Sequence, residues 1–349
     1  MSDAKVYVSS VGVICSLGDS AGLVRASVSA DISAVTNSNE YGSDLEAIKQ
    51  ALVPELALPQ LEDTLNLCGL TSRQRRLLRL SAPAINQAIE NYDSNEPLPI
   101  FLAGPEVLPE IKAVLSSNFI ELLSIQTGIE FDRKLSRIFS TGRAGGLEII
   151  EMAFRYFEAT GKEYVLVGGV DSYLGLHVLS TLNQQNRILG EGNGDGFIPG
   201  EASGFLLLMS ESAKQKLPKK PILSLSRPSF SSEVGHYYSE EPYRGDGLAS
   251  AVKQLLSYNT INKISSVYTT MNGENYWAKE IGVALSRNSN AFKEEVNINH
   301  HGDCFGDIGA AFIPVLLAIL TVKKTDDVSM LTASSDGPLR GAILATNNI

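Results

Sequence analysis

The stretch "DGFIPGEASGFLLLMSE", residues 195–211, places three glycines at four-residue intervals before an almost unbroken apolar run. Such a run predicts a β-strand that is covered on both faces, and the glycines lead the chain into it. The stretch "EYVLVGGVDS", residues 163–172, has the same character, and the large apolar residues of 144–159 recur at helical spacing. Strands that alternate with helices predict an α/β fold with a largely parallel sheet buried between helix layers.

The second part of the chain repeats this order of elements. Residues 247–258 predict a helix, residues 264–273 a strand and residues 276–286 another helix. We therefore predict a duplicated unit, with an N-terminal half over residues 1–215 and a C-terminal half over residues 216–349.

Length, charge and apolar content exclude several classes of protein. The chain has 349 residues with 44% hydrophobic content, which suits a compact core, and its net charge of −10 is mixed along the sequence. This argues against a nucleic-acid partner. The opening "MSDAKVYVSSVGV" does not resemble a signal peptide, and the longest apolar stretch, residues 309–322, contains Pro314 and is too short to span a bilayer. We expect a cytoplasmic protein in which that stretch is a buried helix.

The three cysteines, Cys15, Cys68 and Cys304, have neither metal-ligand nor disulfide spacing. Buried thiols in a reducing compartment are the simplest interpretation, and we expect no metal and no cofactor.

One helix, predicted over residues 71–92, begins with the densest positive patch of the chain: Arg73, Arg75, Arg76 and Arg79. Two interpretations remain open at this point. The arginines form a solvated helix face, or they form a docking patch for an acidic partner.

Five motifs that occur in order along the chain carry a resemblance to a known family. They are "VYVSSVGVICSLG" at 6–18, "RQRRLLRLSAPAINQAI" at 73–89, "GGVDS" at 168–172, the stretch at 195–211 and "GDCFGDIGAA" at 302–311. Together they resemble the β-ketoacyl-acyl-carrier-protein synthases, which are condensing enzymes. The resemblance implies a thiolase-like, five-layered αβαβα fold with two duplicated halves, a dimer, and an acyl carrier protein as a possible partner through the arginine patch.

The family's chemistry uses a cysteine at a helix N-terminus and two histidines, and none of the three is present here. The motif Thr-Ala-Cys-Ala-Ser-Gly becomes 141–146, "TGRAGG", with Thr141 first and Arg143 in place of the nucleophile. The resemblance places Asn272 and Asp303 where the histidines would stand, so no catalytic residue is expected. The family's lysine falls on Ile298, and the Gly-His-x-x-Gly frame ends at Gly306.

Arg143 needs an anion, because a buried guanidinium without a partner costs several kcal/mol and opposes the helix dipole. We predict that Arg143 forms an ion pair with Asp303, that Asn272 adds a hydrogen bond, and that the group fills the former active site. The alternative is that Arg143 turns outward to solvent.

Cys304 is a candidate nucleophile outside the family's own position, since His300 and His301, which precede it closely, are candidate bases. We prefer a small packed cysteine beside two loop histidines. Glu201 belongs to the strand motif, and with Asp195 and Glu280 we expect it to hold turns and strand ends.

Three functions follow as hypotheses. In the first, the chain is a catalytically inactive partner of a ketosynthase, like the chain-length factors of aromatic polyketide pathways. In the second, it is an active acyltransferase or acyl-thioester hydrolase of the same fold. In the third, it is a stand-alone homodimer that binds an acyl chain or a carrier protein.

Overall fold

The apolar runs of the sequence form the central strands, as predicted. A computed structural model describes residues 4–42, 45–92, 96–216, 222–259, 263–323 and 327–348. The elements up to residue 216 are β1 (Lys5–Cys15), α1 (Ala21–Ser29), β2 (Thr36–Tyr41), β3 (Ala47–Gln50), α2 (Ser72–Ile89), β4 (Ile100–Ala103), α3 (Phe119–Thr127), β5 (Arg137–Phe139), α4 (Gly145–Thr160), β6 (Tyr164–Ser172), α5 (Leu176–Gln184), β7 (Glu201–Met209) and α6 (Glu211–Lys216).

The remaining elements repeat the alternation of strands and helices. They are β8 (Leu223–Ser226), β9 (Ser229–Ser232), α7 (Asp246–Tyr258), β10 (Ile264–Thr269), α8 (Asn275–Arg287), β11 (Phe292–Asn299), α9 (Gly302–Phe305), α10 (Phe312–Leu320), β12 (Val328–Ser334) and β13 (Leu339–Asn347).

The strand order shows the duplication. The N-terminal strands are ordered β1-β7-β6-β4-β5, and the C-terminal strands follow the same rule, with β8 and β9 both paired to β13 and then β12, β10 and β11. In each set the first pairings are antiparallel and the last two are parallel. The prediction of a largely parallel sheet is therefore wrong, because β7 and β13 run antiparallel to all the strands that they pair with.

The two sets form one continuous sheet of 11 strands, since Lys5–Val8 of β1 pairs with Leu223–Ser226 of β8. The boundary between residues 215 and 216 stays a prediction, and residues 217–221 lie outside the described part of the chain.

Apolar cores form where the layers of helices and strands pack against each other. The central core packs α4 and α10 between the two sets of strands. An outer core packs α2 and α3 against the N-terminal strands, and another packs α7 and α8 against the C-terminal strands. This gives the five-layered arrangement, and it confirms that residues 312–320 are a buried core helix. Among the described residues, no helix is both long and apolar enough to cross a membrane.

Candidate functional site

The candidate site lies where the loops of both units meet at the N-terminus of α4. A short 3-10 turn, Gly142–Ala144, precedes that helix and buries Arg143 to 2% exposure. Gly142 adopts φ +62°, which lets the chain turn sharply from β5 into the helix.

Every donor nitrogen of Arg143 has an acceptor. Nη1 lies 2.5 Å from the Asp307 carboxylate, Nη2 donates to the Asp336 carboxylate, and Nε donates to the Ser334 carbonyl at 3.0 Å. The guanidinium also stacks on the ring of Trp277, at 4.4 Å from its centroid. Burial acts to lower the pKa of Arg143, but Asp307 and Asp336 raise it well above its usual value, so the group is a permanent cation.

The predicted ion pair between Arg143 and Asp303 is wrong. Asp303 lies on α9 with its side chain exposed, and its carboxylate contacts His300 Nδ1 at 2.9 Å. The chain turns after Gly306 and carries Asp307 inward, where Oδ1 accepts the Gly309 N–H at 2.8 Å. The alternative of an outward-facing Arg143 is also wrong, because both carboxylates that bind it are buried.

Asn272 joins this network through Asp307. Its Nδ2 donates to Asp307 Oδ2 at 2.8 Å and to Glu274 Oε2 at 3.0 Å. Asn272 therefore contacts the carboxylate that binds Arg143, and it fixes the position of Glu274 as well.

Sequence reasoning missed a second buried arginine. Arg187 is 1% exposed, binds both Glu274 oxygens at 2.8 Å, and shares the Asp336 carboxylate with Arg143. Its guanidinium stacks on Tyr237, 4.0 Å from the ring centroid. In the sequence, Arg187 is a single charged residue before the apolar Ile188, which gives little indication of a site. Its partner Asp336 is 149 residues away in the chain, so no local motif connects the two.

The charges divide between the two units. Both arginines of the network come from the N-terminal part of the chain, and the three acidic residues that pair with them, Glu274, Asp307 and Asp336, come from the C-terminal part. Burial acts to raise the pKa of Asp336, but Arg187 and Arg143 hold it below its usual value. The network, which we call the buried charge network, therefore joins the two units by complementary charge.

Little empty space remains beside Arg143. The cavity there has a volume of about 10 Å³ and is lined by Arg73, Glu106, Arg143, Asp171 and Asp336 among others. This is room for about one water molecule. An acyl chain does not fit in this cavity.

Cys304 is not an activated thiol in this structure. It is 7% exposed, belongs to the central core, and has its pKa raised by burial. Burial also lowers the pKa of the neighbouring His301 to about 4. A neutral, packed thiol beside a weakly basic imidazole lacks the thiolate that nucleophilic catalysis needs.

The other predicted site residues lie at separate places. Glu201 is buried at the start of β7, where it accepts hydrogen bonds from Val53 N–H, Ser172 and Arg76. Ile298 lies on the edge strand β11 and is 43% exposed.

Thr141 and Gly306 shape the loops of the site. The Thr141 hydroxyl donates to Glu148 in the first turn of α4. Gly306 adopts φ +73°, and a side chain there would meet the Ile198 carbonyl at 2.7 Å.

Both interpretations of the arginine patch on α2 need correction. Arg73 binds Asp171 and the Ser172 carbonyl, Arg76 binds Glu201 and Glu55, and Arg79 binds Glu55. Arg75 is the member of the patch that is exposed. Neither a solvated basic face nor a docking patch of four free cations is present, because the other three arginines neutralise acids of the same chain.

Asp195 and Glu280 both hold backbone or side-chain groups in place. Asp195 accepts the Asn275 N–H at the start of α8, and Glu280 binds Arg340 and Ser334 in the interior. In the described ranges, no group of three or more histidine, cysteine, aspartate or glutamate residues is arranged to hold a metal ion.

Comparison with known proteins identifies the fold. No family model matches the chain, and no curated protein matches it by sequence. Solved structures match it over almost its whole length, and they are ketosynthases and ketosynthase/chain length factor complexes. The chain has the thiolase-like fold of the ketosynthases.

Three of these structures illustrate the likeness. The ishigamide ketosynthase/chain length factor matches with a TM-score of 0.77 at 13% identity, and the match covers 100% of this chain and 100% of that one. The ketosynthase ApeO in complex with its chain length factor ApeC from Xenorhabdus doucetiae has a TM-score of 0.76 at 15% identity, covering 99% of this chain and 98% of that one. A type II polyketide synthase ketosynthase in complex with its acyl carrier protein has a TM-score of 0.75 at 14% identity, with 99% and 100% covered.

Proposed function

We propose that this chain is a catalytically inactive ketosynthase-like subunit that pairs with an active ketosynthase, as a chain length factor does, in polyketide or fatty acid synthesis in the cytoplasm. The observation that carries the proposal is the burial and ion pairing of Arg143. At the position that the resemblance assigns to the nucleophile, a permanent cation is bound on all sides by Asp307, Asp336 and Ser334.

The chemistry of the site supports inactivity. A guanidinium cannot form the acyl thioester, because it lacks a thiol and stays protonated. The histidines that would stabilise an enolate are replaced, and the nearby side chains of Asn272 and Asp307 are bound to each other. The cavity of about 10 Å³ beside Arg143 also leaves no space for a substrate.

The edges of the sheet indicate where a partner would bind. One edge, β11, carries exposed charged residues and an irregular register against β10, both of which block strand pairing. The other edge, β5, ends two residues before the 3-10 turn of Arg143. The Gly104 N–H, just after β4, donates to the Phe139 carbonyl at 2.8 Å, so the backbone polar groups of Phe139 face β4. Successive residues of a strand point these groups to opposite sides, so the N–H and carbonyl of Ile138 face outward, away from β4.

The named relatives support the choice of partner. Two of the matching structures contain a ketosynthase together with its chain length factor, and one contains a ketosynthase with its acyl carrier protein. Because three arginines of the α2 patch are bound within this chain, we propose that the carrier protein docks on the active ketosynthase of the pair.

Two experiments test the proposal. The purified chain, incubated with acyl- and malonyl-carrier protein, should show no condensation, no decarboxylation and no acyl-enzyme by mass spectrometry. Elongation of the acyl thioester by the chain alone would refute the inactive assignment.

Co-expression with a ketosynthase of the same organism tests the partner. We expect co-purification of the native chain and of Ile138→Ala, which keeps the outward N–H. Ile138→Pro, which removes that N–H while leaving the hydrogen bonds to β4, should lose the partner. Equal amounts of ketosynthase co-purified with Ile138→Ala and Ile138→Pro would contradict the proposed pairing. A homodimer of this chain that excludes the ketosynthase would contradict it as well.

A further inference from the structure

A larger cavity lies at the other end of β4 and β6 from the buried charge network. Its volume is about 460 Å³, which is within the range of small-molecule binding sites. Leu98, ahead of β4, and Tyr164, the first residue of β6, line this cavity. Glu106 and Tyr173, which follow the same two strands, line the small cavity beside Arg143. Because β4 and β6 are parallel, the two cavities lie at opposite ends of these strands.

Three tyrosines form the aromatic part of the larger cavity: Tyr92, Tyr156 and Tyr164. We call it the tyrosine cavity. The rings of Tyr92 and Tyr164 meet nearly edge to face, with centroids 5.5 Å apart and planes at 62°. Burial raises the pKa of Tyr156 and of Tyr164, so both rings stay neutral phenols at pH 7. The face of a neutral phenol ring attracts organic cations.

The charged groups of the tyrosine cavity leave one acid without a cation. Glu96 pairs with Lys162 at 2.7 Å, and Glu163 pairs with Lys216. Asp132 also lines the cavity, and among the described residues no cation forms an ion pair with it. Because the charges of the two pairs cancel, the cavity carries the negative charge of one carboxylate.

One carboxylate oxygen of Asp132 is available to a ligand. Its Oδ1 accepts the N–H groups of Lys134 at 2.9 Å and Leu135 at 3.1 Å, whereas no donor in the described part of the chain binds Oδ2. Asp132 is half-buried, so a cation bound to it would be partly shielded from water. The wall also contains Gly161, which follows the last turn of α4, and the carbonyl end of a helix favours a cation.

The basic side chains that are close to Asp132 in sequence do not line the tyrosine cavity. Arg133 and Lys134 line a neighbouring groove, and Arg133 pairs with Glu121 at 3.1 Å. Arg137 donates to two backbone carbonyls, at 2.7 Å each. None of these three cations therefore takes the place of a ligand at Asp132.

We propose that the tyrosine cavity binds a primary organic amine as its ammonium ion. The N–H groups of the ammonium donate to Asp132 Oδ2, and the apolar body of the amine packs against the rings of Tyr92 and Tyr164. Leu98 and Leu135 add apolar surface for that body. The inference concerns the isolated chain, and it does not depend on the proposed function.

Calorimetric titration of the purified chain at pH 7 with 2-phenylethylamine tests the inference, and 2-phenylethanol is an uncharged probe of nearly the same shape. We expect a Kd below about 1 mM for the amine, which a ligand of its size can reach. The alcohol should bind at least about tenfold more weakly, because a hydrogen bond between two charged groups is the stronger one. Equal affinities for the two probes, or no binding of the amine up to about 10 mM, would overturn the proposal.

A pair of variants locates the amine. Asp132→Asn keeps an acceptor for the Lys134 and Leu135 N–H groups and removes the charge, so it should weaken the amine at least about tenfold and leave the alcohol unchanged. Glu130→Gln removes an exposed carboxylate that does not line the cavity, and it should bind the amine like the native chain. Equal amine affinity in Asp132→Asn and the native chain would refute the site. The comparison of the two probes uses the native chain, so it also covers the case in which Asp132→Asn does not fold.

Discussion

Removal of the Arg143 guanidinium is the most direct perturbation of the site. Arg143→Met keeps a long apolar side chain against Trp277 and removes both ion pairs and the hydrogen bond to Ser334. Asp307 would then be buried without its ion-pair partner, and Asp336 would keep only its pairing with Arg187. Breaking a buried pair by removing one partner costs about 3–5 kcal/mol, so the free energy of unfolding should fall by that amount at pH 7.

Urea denaturation followed by far-ultraviolet circular dichroism measures this loss without relying on the tryptophan that Arg143 contacts. Arg75→Met is the matched control, because Arg75 is exposed on α2 and should change stability by less than about 0.5 kcal/mol. Adding Asp307→Asn to Arg143→Met should recover part of the loss, because the amide needs no counter-charge. A loss below about 1 kcal/mol for Arg143→Met would refute the argument that this cation compensates buried acids.

Three further predictions concern other parts of the structure. Gly142→Ala should destabilise the chain by about 1–3 kcal/mol in urea unfolding, more than Gly161→Ala, because both glycines have positive φ but only at Gly142 would the new Cβ meet another group, Glu106. Asp336 has a folded pKa below its unfolded value, so its stabilisation is present above about pH 4 and lost in more acidic urea titrations; Asp336→Asn should lack this loss. Iodoacetamide should label exposed Cys68 in the native chain, and mass spectrometry should find Cys304 and Cys15 modified only after denaturation; native labelling of Cys304 would contradict its burial.

The sequence predicted the elements whose patterns are local. The apolar runs predicted β6 and β7, the continuous apolar stretch predicted α10, and the repeated order predicted the duplication that the strand order shows. The direction of the strands was predicted wrongly, because an apolar run indicates burial on both faces and carries no information on whether its neighbours are parallel or antiparallel.

The site was predicted in part. The sequence showed that a cation stands at the start of α4 and that it needs an anion, because a buried guanidinium requires one whatever the fold. It did not show which anion, since Asp303 and Asp307 are four residues apart and one short helix decides that the first faces solvent and the second faces Arg143.

The sequence by itself therefore determined the buried strands, the buried helix α10 and the cation ahead of α4, which follow from short-range pattern and residue type. Only the tertiary structure decided how the buried charges are paired. Arg187, Glu274 and Asp336 come from separate loops, and Arg187 is 149 residues from Asp336. Their pairing depends on which loops the sheet brings together, and that is a property of the whole chain.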